Sequence, residues 1–129
     1  MKVTVKHIKS GMDKGKQEFM NNFIKLLQKE IPLKNDITIE FLGERKGGMS
    51  TGSRKDESLL KVLSKNRLNR DICRTLAHEW IHEYQISVLD RDHQVDIGGQ
   101  NENEANSGAG ILIKRFEQEF PNKEEKMYE

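Results

Sequence analysis

Three observations predict an α+β fold. Two short runs near the start alternate apolar and polar residues and are rich in β-branched side chains, as half-buried strands are. Three longer stretches, 13–31, 70–89 and 101–120, carry apolar residues at helical spacing. The resulting order is strand, helix, strand, one or two short strands, helix, helix. That order suits a small antiparallel or mixed sheet of three to four strands packed on helices.

The first strand is Val3-Thr4-Val5-Lys6-His7-Ile8. From Asp13 the period changes, with Phe19, Phe23, Leu26, Leu27 and Ile31 on one helical face and lysines, Gln17, Glu18 and Gln28 on the other, until Pro32 stops the helix. Ile37, Ile39 and Phe41 lie on one face of a second strand over 37–42. The glycines between 43 and 52 mark a turn region. Leu59, Leu60, Val62 and Leu63 fit either a short helix or an edge strand, and the strand is preferred because Ser64-Lys65-Asn66 breaks the pattern before the next helix can begin. Asn69 is the expected N-cap of the next helix, and Asp71 suits the positive end of its dipole. Its buried stripe is Ile72, Leu76, Trp80 and Tyr84, flanked by Cys73, Ala77 and Ile81. The last helix contains Ser107-Gly108-Ala109-Gly110, which lacks large side chains and permits close approach of another helix. Pro121 ends it, and 122–129 is expected to fray.

The 129 residues are expected to form one domain, 1–129. No apolar run approaches the roughly 20 residues of a membrane span, and no secretory signal opens the chain, so a cytoplasmic setting is expected. A lone Cys73 forms no internal disulfide and reads as a small buried apolar residue. The formal net charge is +1, which argues against a globally basic nucleic-acid binder. Charge is nevertheless segregated: residues 1–77 carry 17 Lys+Arg and 9 Asp+Glu, and 78–129 carry 5 and 12. The positive half peaks between Arg45 and Arg74, where nine cations face Asp56, Glu57 and Asp71.

The chemistry-bearing residues are His78-Glu79-Trp80-Ile81-His82, in the middle of the best-defined helix. Positions i and i+4 share a helix face, so both imidazoles can point at one ion. Glu79 is turned by about 100° from His78 and lies alongside that ion, where it can take a proton from a water. A catalytic zinc needs three protein ligands and an open position. The metzincin continuation, with Gly and His three and six residues after His82, is excluded, because Gln85 and Val88 stand there. The remaining choices are His93, Glu102 and Glu104. Glu102 is preferred, since Glu102 and Asn106 form an i, i+4 pair that can bind the metal and hydrogen-bond a ligating histidine. Glu104 is about 200° round the helix from Glu102 and reads as a solvated carboxylate near the helix start.

Thr75-Leu76-Ala77-His78-Glu79-Trp80-Ile81-His82, followed by Glu102-Asn103-Glu104-Ala105-Asn106, resembles the gluzincin type of zinc metallopeptidase. Within that type it is most similar to compact phage-type and ImmA/IrrE-like peptidases. The resemblance implies a minimal zincin-like fold and one Zn2+ held by His78, His82 and Glu102, with Glu79 as general base. It also implies an edge strand, at 51–55 or 59–64, that pairs with the substrate backbone. His93, Tyr84 and Arg91 are candidates for stabilising an oxyanion, His93 foremost.

The expected activity is therefore zinc-dependent endopeptidase, with a protein or peptide as partner, no membrane, no nucleic acid, and a monomeric chain. The alternative is a zinc-stabilised, non-catalytic module that binds an acidic protein or nucleic acid through its basic N-terminal half. Glu79 favours the enzyme, because a structural clip has no use for a carboxylate beside the metal.

Overall fold

The computed structural model describes residues 1–45, 49–55, 58–91, 99–120 and 126–129. The fold is α+β, with three helices and one four-stranded mixed sheet. Strands β1 (Val3–Ile8) and β2 (Ile37–Leu42) are parallel, joined through helix α1 (Lys14–Glu30). Strand β4 (Leu59–Leu63) lies parallel to β2 on its other side, and β3 (Gly52–Lys55) pairs antiparallel with β4, giving the order β1-β2-β4-β3. Helices α2 (Asn69–Ser87) and α3 (Gln100–Glu119) complete the chain and pack closely on each other.

The strand alternation explains the layering. Ile37, Ile39, Phe41, Leu60 and Val62 are buried in one core with the apolar faces of all three helices. The intervening Thr38, Glu40 and Lys61 are less covered, so the sheet has one packed and one more exposed face. Phe116 of α3 meets Phe19 and Phe23 of α1 edge to face, at centroid distances of 5.3 and 5.2 Å. Trp80 is fully buried, and its indole N–H donates to the Ile31 carbonyl at the end of α1. No described helix is long and apolar enough to cross a membrane.

Asp13 caps α1, accepting from the Lys16 N–H at 2.8 Å. The expected cap of α2 is different. Leu68 occupies the N-cap without a side-chain bond, and Asn69 is the first helical residue. The open N–H groups of Asn69 and Arg70 instead donate to the Glu129 and Met127 carbonyls. Lys16 Nζ and Asn69 Nδ2 reinforce this contact by donating to the carbonyls of Glu129 and Lys126. Residues 126–129 are therefore docked, with Met127 fully buried, where fraying was expected. Helix ends have unsatisfied donors, and here a distant turn satisfies them.

The edge strand beside α2 is β3. Of the two candidate segments, 59–64 is excluded because β4 is paired on both sides. Gly52 lets β3 lie directly on α2, since a Cβ there would stand 2.4 Å from Thr75 Cγ2 and 3.3 Å from Glu79 Cγ. Arg54 fastens the same strand: its Nε donates to Glu83 Oε1 at 2.8 Å. Glu83 is completely buried and also accepts from the hydroxyls of Ser58 and Ser87.

Candidate metal centre

His78 and His82 stand one turn apart on α2, and their Nε2 atoms are 3.0 Å apart. The packing of α3 brings Glu102 to both. Its Oε1 lies 2.8 Å from His82 Nε2 and its Oε2 3.3 Å from His78 Nε2. Gly108 lies where α3 meets α2, and a Cβ there would be 2.6 Å from Ile81 Cδ1. The small-residue stretch of the last helix thus does what its composition suggested. Glu102 also sits in the first turn of α3, where the helix dipole favours its charge.

The second ring nitrogens decide what these atoms are. His78 Nδ1 faces Asn106 Oδ1 at 2.9 Å, and His82 Nδ1 faces Gln85 Oε1 at 3.0 Å. An amide oxygen only accepts, so each ring donates from Nδ1, and each neutral imidazole keeps its lone pair on Nε2. The Gln85 amide is oriented independently, because its Nε2 donates to the Asn101 carbonyl and to Glu104 Oε2, both at 3.1 Å. With both rings neutral, two Nε2 lone pairs and a carboxylate converge on one point. Such a point attracts a cation.

The spacing fits the same conclusion. Ligand atoms about 2.0–2.1 Å from one tetrahedral ion lie about 3.3 Å from each other, close to the separations found here. The ligand atoms of His78, Glu79 and His82 also lie within 4.8 Å of one another, so Glu79 is a second carboxylate at the site. Glu102 is the better placed donor, in near contact with both rings. Glu79, buried on the α2–β3 side, stands beside the pair. Burial, with the Glu102 charge adding to it, raises the Glu79 carboxyl to about 7. Burial and the neighbouring His82 ring lower His78, against the opposing influence of Glu102 and Asn106.

A cleft of about 330 Å³ opens on this cluster. Ser50, Thr51 and Gly52 form one wall, and α2 forms the other through Arg74, Thr75, His78 and Glu79.

The remaining candidates are placed as follows. Glu104 is not a bystander: it accepts from Arg91 and from Gln85, and Arg91 above all lowers its carboxyl from the ordinary value. Helical spacing turned it away from Glu102 correctly, but α2 lies across α3 there, and Gln85 meets it. Arg91 is committed to Glu104 and Asn101, so it does not face the cleft. The chain reverses at Asp90 (φ 54°), and the Arg91 N–H returns to the Gln85 carbonyl. Tyr84 packs against the core. His93 lies outside the described residues. Cys73 is buried, with its thiol pushed well up by desolvation.

Sequence reading missed Gln85 as a partner of His82, although the i, i+3 spacing was available to find it. Nothing local announces the Arg54–Glu83 pair. Comparison of the chain with protein families, with curated proteins and with solved structures gives no match in any of the three.

Proposed function

We propose that the chain is a zinc-dependent endopeptidase of gluzincin type with a minimal zincin-like fold. One observation carries the reading: the convergence of His78 Nε2, His82 Nε2 and Glu102, with the buried Glu79 carboxyl beside it in the wall of an open cleft. His78, His82 and Glu102 would hold the ion. Zinc in such a set supplies Lewis acidity and makes water acidic enough to be activated near neutral pH.

The other steps belong to the chain. Glu79 takes a proton from the attacking water and returns it to the nitrogen of the departing amine. Burial of Glu79 favours its protonated form, which helps it hold the proton between the two transfers. Asn106 and Gln85 fix the two ring tautomers, which keeps both Nε2 lone pairs directed at the site. The substrate backbone lies along β3. Thr51 C=O accepts from the Leu63 N–H, so by antiparallel alternation Gly52 and Arg54 turn their main-chain groups to the free edge. A purely structural zinc clip is normally closed by four protein ligands, whereas this cluster opens on a cleft.

The test is metal content and peptide hydrolysis measured on the same samples. One zinc per chain and cleavage of an unstructured protein are expected. Glu79→Gln should keep the zinc and lose about 10²- to 10⁴-fold in rate. Absence of zinc binding, or full activity in Glu79→Gln, would overturn the proposal.

A further inference from the structure

The cleft has a second end, and its chemistry is one-sided. Arg67 is committed to the wall: Nη1 donates to the Leu63 carbonyl at 2.7 Å, and Nη2 to the Asp71 carbonyl and Thr75 Oγ1 at 3.1 and 3.0 Å. Thr75 Oγ1 then donates to Thr51 Oγ1, which keeps its own proton for a further acceptor. The relay from Arg67 through Thr75 thus ends in a hydroxyl donor on the opposite wall. Arg74 lies one turn before His78 and lines the same cleft. It is exposed, and among the described residues no carboxylate comes within ion-pairing distance of it. Arg45 stands close enough to disfavour the charge on Arg67, and Asp71 opposes it. The basic stretch noted in the sequence therefore contributes to one end of this cleft.

We propose that Arg74, with the Thr51 hydroxyl, forms a subsite for a carboxylate of the substrate, so that preferred peptides carry an acidic group where they reach this end. The inference rests on the peptidase reading and deepens it by naming a substrate class. A guanidinium offers a planar fork that matches a carboxylate, and an ionised pair is the strongest hydrogen bond available there. A neutral side chain leaves the fork to water. The carboxylate has two sources, an acidic side chain or a free C-terminus, and they are separable by experiment.

The probes are acetylated, amidated Ala-Ser hexapeptides with Glu, Gln or Lys at each position in turn, plus the neutral parent with a free C-terminus. Their binding is measured to the zinc-loaded Glu79→Gln chain, with Arg74 intact, as Arg74→Ala and as Arg74→Lys. At one position Glu should bind about tenfold more tightly than Gln. That ratio should fall to near one in Arg74→Ala, with the Gln peptides unaffected, and be kept in part by Arg74→Lys. A gain confined to the free C-terminus assigns the subsite to a terminal carboxylate. A gain in the amidated Glu series assigns it to a side chain. No acidic preference, or one that survives intact in Arg74→Ala, overturns the inference. The unmodified zinc-loaded chain is assayed for cleavage in parallel. An Arg74-dependent preference without cleavage overturns the peptidase reading and keeps the subsite, and cleavage without the preference does the reverse.

Discussion

Gln85 Oε1 accepts from His82 Nδ1 at 3.0 Å, and the other end of the same amide donates to Glu104 at 3.1 Å. One side chain thus links α2 to α3 and sets the tautomer of the histidine. Arg91 and Gln100 hold Glu104 in turn, so the orientation of His82 depends on residues that never touch the metal position.

The three carboxamide and carboxylate positions should respond in a graded way. Glu102→Ala removes an anionic donor, and zinc affinity should fall most. Gln85→Ala should lose about 10- to 100-fold, as expected when the partner of a ligating histidine is removed. Glu104→Ala should lose less than Gln85→Ala, because it acts only through that amide. Zinc titration against a chromogenic chelator measures all three. Full retention in Glu102→Ala with loss in Glu104→Ala would reverse the ligand assignment.

Zinc that binds only the folded chain should also stabilise it. At a thousandfold excess over Kd the gain is about 4 kcal/mol, which for a chain of this size is roughly 10–15 °C in Tm. Thermal unfolding before and after chelation gives the comparison. An unchanged curve, with zinc loss verified, would argue against a preformed site between α2 and α3.

Gly52 tests whether the edge strand must touch the helix. Gly52→Ala places a methyl 2.4 Å from Thr75 Cγ2, so β3 should lift from α2 and peptide cleavage should fall while zinc stays bound. Thr75→Ser removes that methyl and keeps the hydroxyl that serves Arg67 and Thr51. The double variant should therefore recover much of the lost rate, a coupling that a double-mutant cycle reads directly. Additive losses would mean that the contact does not control the strand.

Burial raises the Cys73 thiol. In the unfolded chain the thiol ionises near its ordinary value, about 8.5, while in the folded chain it stays protonated to higher pH. The unfolded state then binds fewer protons, so this group's contribution is complete below pH 8.5 and declines as pH rises toward the folded value. Denaturant unfolding of Cys73→Ala and the parent across pH 7–10 should show the parent losing stability faster. Thiol reagents at neutral pH should label Cys73 only after unfolding, and rapid native labelling would contradict its burial.

What could be read along the chain was whatever repeats within a turn or two. Apolar spacing set the helices, alternation set β1 and β2, and the i, i+4 relation put His78 and His82 on one face. Asp13 capped its helix from three residues away, a purely local bond. The preference for Glu102 over Glu104 also followed helical spacing, and α3 places Glu102 against both rings.

Other features depended on which surfaces meet. Asn69 is a sound local cap by type, yet a turn some sixty residues later supplies the acceptors at the start of α2. Glu83 looks like any helical carboxylate until Arg54, 29 residues earlier, is folded onto it. Gln85 and Glu104 meet because α3 packs on α2, a pairing between residues 19 apart in sequence. Periodicity describes one element's faces, since it arises from backbone geometry within that element. Pairings between elements are fixed by the packing of side chains from distant parts of the chain, and no local spacing encodes them.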